Sequence, residues 1–577
     1  MKKITLLLLL IFACKNEENT TEYSFETRFE NSNGLETATY EETIAFYNQL
    51  AKVYHSISID SIGETDSGKP LHLVTFNPDE DFNFDAIRED KRILLINNGI
   101  HPGESDGIDA TMMLFRDLAQ EKVGSPKNVV LTTIPIYNVG GCLNRNSTTR
   151  TNQNGPKSYG FRGNARNYDL NRDFINCDTK NAKTFTQIFH KIKPDVFIDN
   201  HVSNGADYQY TLTHLFTQHN KLGDKLGQYL HTEMMPELEE KLTKKNWDIT
   251  PYVNVFNDTP EKGFSQFMDY PRYSTGYTTL FNTLGMMVET HMLKPYKQRV
   301  VGTYELMKSI IEITDVDAEK IKSLREEMSL LMQKNRHYTL DWEVDTTKVS
   351  KLNFKGYEAD IIKSEVTGFD RLKYNRTRPF TKEIEYQNYY KPKLKVEIPT
   401  AYVIPQGWHN VIDLLKLNNV EMKRIKTDTV FKVEVYRIED YKTRTSAYEG
   451  HYPHYNVNIS TSEETIKFSK GDLIIPTHQY AFRYIMETLE PQAPDSFFNW
   501  NFFDTILQQK EGFSPYVWED KALELLQNNP KLKERFETRK KDIPEFGNNW
   551  YAQLDWLHKQ SKNYETAHLK YPVYRIM

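Results

Sequence analysis

The sequence predicts an α/β fold, a mixed central sheet flanked by helices, followed by a β-rich accessory region and a helical C-terminal segment. Three observations carry the prediction. Up to about residue 340, short apolar runs of strand type alternate with stretches whose apolar residues recur at helical spacing. That is the pattern of strands and connecting helices around a largely parallel or mixed sheet. Beyond that point many short strand-like segments alternate with turns, among them KLKVEIP, AYVIP, VFKVEVYRI and NVNIST. From about residue 497 the chain reads as helical and aromatic, with FFDTILQQ, KALELLQNN and KLKERFETRKK.

The N-terminus reads as an export signal. Met1-Lys2-Lys3 supplies positive charge, and Ile4 to Ala13 is an apolar stretch of signal-peptide length, too short to span a bilayer. It ends in Ile11-Phe12-Ala13-Cys14, which resembles a bacterial lipobox, where cleavage leaves an N-terminal cysteine for acylation. An ordinary cleaved signal peptide is the alternative. The expected organisation is a signal peptide over 1–13, a lipidated polar tether over 14–37, a catalytic domain over 38–340 and the accessory and helical region over 341–577. The expected location is the cell envelope, with a lipid anchor as the one attachment to the membrane.

Within 38–340 the elements follow in order. Residues 40–55 have helical spacing, and SISIDSIGET and KPLHLVTF are β-type runs. Lys91 to Asn97 is a buried-strand run bounded by Asn98-Gly99, and Ile108 to Ala119 reads as a helix. Asn128 to Tyr137 is the next strand, Lys180 to Ile192 a helix, and Asp195 to Asp199 a short apolar strand. Leu222 to Leu242 reads as a helix interrupted by Pro236. Gly285 to Glu289 is a further strand, and Tyr296 to Gln333 a long helical region. In the accessory region Gly407 to Leu415 adds one helix.

Composition narrows the function. A chain of 577 residues exceeds one compact core, and 38% hydrophobic with 26% charged residues is a globular balance. The net charge of −6 comes with no clustered basic surface of the kind that binds nucleic acid. Aromatic residues, at 13%, suit a packed core better than they argue for a carbohydrate or peptide groove. Beyond Cys14 the only cysteines are Cys142 and Cys177, which pair or stay free on equal terms and lack the spacing of a thiolate metal site.

The chemistry gathers where strands end. His101-Pro102-Gly103-Glu104 follows the strand KRILLIN, His201 follows DVFID, and Glu289 closes GMMVE. Ligands of open α/β sheets bind at the carboxyl ends of strands. Pro102 and Gly103 bend the chain so that an imidazole and a carboxylate face one ion, and a distal histidine completes a His₂Glu set that suits zinc with a position left for water.

These residues, with GETDSGKPL at 63–71, DLNRDF at 169–174 and GMMVET at 285–290, make residues 38–310 resemble the zinc metallocarboxypeptidases related to carboxypeptidase A, here in the form of a bacterial lipoprotein. The resemblance implies that His101, Glu104 and His201 hold one zinc ion, with Asp169 fixing the first histidine. It implies that Asn171 and Arg172 grip the terminal carboxylate of a peptide and that Glu289 is the general base. An arginine for the oxyanion matches Arg150 best, with Arg145 and Arg166 as alternatives. A substrate-capping tyrosine falls among Tyr270, Tyr273 and Tyr277, with Tyr273 or Tyr277 favoured. Side-chain selection falls to Ser274–Thr279, whose small or hydroxylic residues suit neutral side chains. The implied activity is hydrolysis of the C-terminal peptide bond outside the cytoplasm. A related amidase or deacylase, a peptidoglycan-peptide hydrolase and a non-catalytic binding lipoprotein are the rivals, in that order.

Overall fold

The computed structural model describes residues 24–332 and 334–577. The expected signal peptide and Cys14 lie outside the described residues. Among the described residues no helix is long and apolar enough to cross a membrane.

The strands of the N-terminal half are β1 (Ile57–Glu64), β2 (Pro70–Phe76), β3 (Arg92–Asn97), β4 (Val129–Ile134), β5 (Val196–Ser203), β6 (Leu212–Phe216), β7 (Ile249–Pro251), β8 (Phe264–Ser265) and β9 (Leu284–His291). All but β8 form one eight-stranded mixed sheet in the order β1-β2-β4-β3-β5-β9-β6-β7. At its centre β4, β3, β5 and β9 run parallel. Strands covered on both faces read as unbroken apolar runs, which is why KRILLIN and DVFID stand out in the sequence. Alternation along β5 shows both covers. Phe197 meets Phe185 of the helix Lys180–Ile192, while Asn200, on the other face, meets Met307 of the helix Tyr296–Val316.

Most expected elements are present, and the differences have local causes. The helix Tyr40–Val53 opens with a capping box, in which Thr39 and Glu42 satisfy each other's backbone N–H groups. Pro236 does not break its helix. A π-helical turn, Leu230–Met234, precedes it and accommodates the missing N–H. β5 and β9 run past Asp199 and Glu289, because β9 continues to pair with β6 through Thr290. His201 therefore lies within β5 rather than after it, and Glu289 within β9 rather than at its end.

The described part of the expected tether, residues 24–37, is not a tether. Phe25 and Phe29 are buried, at 8% and 4% exposure. Arg116 donates to the Phe25 carbonyl at 3.1 Å and pairs with Glu30, so this segment is part of the catalytic body.

The second half contains β10 (His337–Val344), β11 (Ser350–Lys363), β12 (Asp370–Gln387), β13 (Tyr390–Glu397), β14 (Ala401–Ile404), β15 (Lys423–Arg424), β16 (Thr429–Thr443), β17 (His454–Phe468), β18 (Leu473–Pro476) and β19 (Tyr574–Ile576). The expected boundary at 340/341 falls inside β10, which pairs with β13, so the junction precedes His337. β8 of the first half pairs with β12 of the second. β14 to β19 pair into a six-stranded sheet in the order β15-β18-β14-β19-β16-β17. The expected helix appears as His409–Leu417, and helices over Pro515–Asn528, Pro530–Asp542 and Trp550–Lys559 form their own small core.

The two halves share one core. A single buried cluster runs from Phe25 to Val573. Across it Tyr277 donates to Asn418 at 2.7 Å, and Asn418 donates to Tyr484 at 3.0 Å. Removing everything after residue 336 therefore strips apolar and polar partners from the catalytic half. The full chain is expected to lose its central core in one cooperative calorimetric transition, and a 24–336 fragment is expected not to fold. A soluble fragment with a sharp melt of its own would contradict this.

Candidate functional site

Asn98-Gly99-Ile100 carries the chain from β3 to His101, and a tight turn (Glu104 N–H to His101 O, 2.7 Å) brings Glu104 back beside it. Gly103 lets Arg150 lie flat against this turn, since a Cβ there would stand 2.1 Å from Arg150 Nε. His201 arrives on β5. Glu289 is its register partner on β9, so ligand and base are neighbours across a parallel ladder.

Side chains here form a chain of alternating acid and imidazole. Asp169 Oδ1 lies 2.9 Å from His101 Nε2, and His101 Nδ1 lies 3.2 Å from Glu104 Oε1. Glu104 Oε2 lies 3.0 Å from His201 Nδ1, and His201 Nε2 lies 2.9 Å from Asp199 Oδ2. Each Nε2 thus faces an outer carboxylate, which leaves both Nδ1 atoms turned toward Glu104. The donor atoms of His101, Glu104 and His201 all lie within 4.8 Å of one another and are buried. His101 Nδ1 has no hydrogen-bond partner. Two imidazole nitrogens and a carboxylate, each imidazole oriented by a second carboxylate, fit a zinc ion.

Electrostatics agree with the geometry. Burial opposes ionisation of Glu104, but the charges of His101 and Arg150 and the close approach of both imidazoles outweigh it and hold the carboxyl well below its usual range. Burial likewise opposes charge on His201, yet Asp199 and Glu104 raise its pKa well above the ordinary value. Glu289 differs. Loss of water, reinforced by Glu104 and Asp199 and opposed by His201 and Arg162, pushes its carboxyl up to about 8. A base near neutrality is suited to taking up and returning a proton.

The DLNR segment forms a 3₁₀ turn, Leu170–Arg172, capped by Asp169, which accepts the Asn171 N–H at 3.0 Å. Asn171 Oδ1 accepts the Ser274 N–H at 3.3 Å, and the Arg172 guanidinium lies 4.7 Å from the centre of the Tyr273 ring. Asn171, Arg172, Tyr273, Arg150 and Glu289 all line one cleft of ≈ 610 Å³ with the three donors. Arg150 Nη2 bonds Glu104 Oε1 at 2.8 Å.

Other expected residues lie elsewhere. Tyr277 is buried in an aromatic cluster with Phe174, Phe189 and Phe281 and does not line the cleft. Tyr273 is the extended N-cap of the helix Ser274–Thr279, so it leaves the helix surface that Tyr277 occupies. Tyr270 bonds Asp341 at 3.0 Å. Arg145 is spent on the Ser158 carbonyl at 2.7 Å, and Arg166 on the Asp178 carbonyl at 3.2 Å. Ser274–Thr279 is wholly buried, with Ser274 Oγ on Asp199. The cleft wall comes instead from Val202, Leu215, Tyr252, Phe267, Met287 and Met292. Cys142 and Cys177 are free and buried, and burial pushes both thiols up to about 12.

Three residues escaped the sequence reading. Arg162 lines the cleft, pairs with Asp169 at 2.8 Å and stands 3.7 Å from Glu104, but its loop carries no periodic signal. Tyr252 depends on the path of the loop after β7. Asp199 carried a usable signal that went unread, since it is two residues before His201 and so points to the same face of β5.

Residues 43–204 match the family model described as zinc carboxypeptidase. "Carboxypeptidase 2" of Trichophyton rubrum is 20% identical over 440 residues, covering 70% of this chain and 72% of the relative. Its namesake in Trichophyton equinum is 20% identical over 504 residues, covering 81% and 84%. Among solved structures, a metallo-carboxypeptidase from Burkholderia cenocepacia has a TM-score of 0.37 at 17% identity, over 49% of this chain and 70% of its own.

A histidine held protonated must release its proton to bind a metal. With the pKa of His201 raised, zinc affinity is expected to climb about tenfold per pH unit while that proton is retained. Chelator competition across neutral pH checks it, and a flat profile would count against the donor set.

Proposed function

We propose that this chain, whose residues 43–204 match the zinc carboxypeptidase family model, is a metallocarboxypeptidase releasing the C-terminal residue of peptides outside the cytoplasm. The observation that carries this reading is one cleft holding the His101-Glu104-His201 donors, Glu289 and the Asn171-Arg172 pair. The names of the relatives support it, as both are carboxypeptidases.

One zinc ion, when bound by His101, Glu104 and His201, supplies Lewis acidity toward water and the scissile carbonyl. Glu289 takes the proton of the attacking water and passes it to the leaving amine. Asn171 and the planar Arg172 guanidinium bind the free carboxylate of the substrate. Tyr273, stacked on Arg172, closes over that end. Arg150 and Arg162 flank Glu104 and provide positive charge for the oxyanion, Arg162 being the more exposed of the two, at 46% against 17%. Asp169 and Asp199 keep both imidazoles in the tautomer that turns Nδ1 toward the ion. Leu215, Phe267 and Met287 give the cleft an apolar wall, in keeping with neutral C-terminal side chains.

Glu289→Gln is expected to lower kcat by about 10²- to 10⁴-fold, the usual range for a general acid–base, with zinc content unchanged. Undiminished turnover would remove the assignment. Peptides with an amidated C-terminus are expected to resist release in a mass-spectrometric digest, and internal cuts would argue for an endopeptidase. The envelope location rests on residues 1–14. Metabolic labelling with an alkynyl fatty acid is expected to mark the wild type and not Cys14→Ser, and equal labelling would refute lipidation there.

A further inference from the structure

A loop of the accessory half reaches the site. Residues 444–453 join β16 to β17, and the Asp169 N–H donates to Glu449 Oε2 at 2.8 Å, across 280 residues of sequence. Glu449 and Gly450 take left-handed backbone angles, φ 48° and 78°. Close approach requires the glycine, since a Cβ on Gly450 would stand 2.7 Å from the Tyr168 hydroxyl. The same loop is pinned by His451, whose Nε2 lies 2.8 Å from Asp178 Oδ2.

Asp169 is where this contact matters. Its Oδ1 orients His101 at 2.9 Å, its Oδ2 accepts Arg162 at 2.8 Å and 3.0 Å, and its carboxylate caps the turn carrying Asn171 and Arg172. The Asp169 side chain can hold these directions only if its backbone is held too. Glu449 grips that backbone directly. A plain docking contact has no use for a carboxylate half-buried beside another carboxylate, whose charge is opposed by burial and by the Asp169 carboxylate and favoured by the Asp169 N–H, Arg172 and Arg162.

We propose that Glu449 is a positioning residue of the metal centre, holding the Asp169 backbone so that the Asp169 carboxylate stays on His101. The accessory half thereby supports the site from outside the cleft. The proposal rests on the metal reading of His101, Glu104 and His201, and not on the identity of the substrate.

Zinc affinity of the full chain, measured by chelator competition with the melting temperature recorded alongside, tests it. Removing a partner that orients a ligand weakens metal binding by about 10- to 100-fold, and one step further out Glu449→Ala is expected to weaken it by about tenfold. Glu449→Asp, which keeps the charge but shortens the reach, is expected to fall with it. Glu449→Gln keeps an acceptor oxygen at the same distance and a similar shape, and is expected to stay within about threefold of wild type. His451→Ala loosens the same loop without touching Asp169, and is expected to leave zinc affinity within about twofold. Wild-type affinity in Glu449→Ala, or an equal loss in His451→Ala, would overturn the proposal. Peptide release is assayed on the same samples. Affinities that follow the expected order in a protein releasing no C-terminal residue would overturn the proposed activity and leave Glu449 in its role.

Discussion

Charge buried away from water is tolerated only when it is paired, and the run Asp169–His101–Glu104–His201–Asp199 is how this protein pairs it. Two imidazoles are each held between two carboxylates, and the five members come from three separate parts of the chain: the turn after β3, the DLNR segment, and β5. Bringing five such groups together demands that the sheet, its connecting turns and the capped 3₁₀ turn all be in place. Arg150 on Glu104, Ser274 and Asn97 on Asp199 and Arg162 on Asp169 add further donors to these carboxylates. The fold around the cleft is in this sense a device for satisfying one cluster of charge.

Much of this was legible in the chain because the physics is local. Continuous apolar runs mark strands covered on both faces, and the H-P-G-E turn and the DLNR turn each announce themselves by side-chain chemistry within four residues. His201 and Glu289 stand out as polar groups in apolar strands, although the strands run further than the apolar pattern because β6 supplies hydrogen bonds along the outer side of β9. What could not be read depends on contacts distant in sequence. Tyr273 and Tyr277 share a short segment, yet one caps a helix at the cleft and the other is drawn into a core with Asn418. Residues 24–37 are polar enough to suggest a tether, but Phe25 and Phe29 find apolar partners on the catalytic body. Arg162 gains its place only once the loop before Asp169 has folded.

The accessory half is bound to the catalytic half by more than proximity. A shared core, the pairing of β8 with β12, and the approach of Glu449 to Asp169 all cross the junction. Arg272 extends the same seam, pairing with Asp495 at 2.7 Å beside the rings of Tyr448 and Trp500, one residue before the cleft tyrosine. Texture in the sequence suggested an appended domain. The packing describes a second layer of support under the first.

The register of β5 against β9 has a mechanical consequence. His201 and Glu289 are joined by neighbouring rungs of a backbone ladder, among the stiffest arrangements a protein has, so the spacing between metal donor and base is insulated from the thermal excursions of loops. The cleft arginines proposed to meet the substrate, Arg150, Arg162 and Arg172, ride on the irregular stretch between β4 and the helix Lys180–Ile192. On the proposed reading, compliance is thus confined to recognition, and rigidity is kept for the spacing of the base from the metal donor.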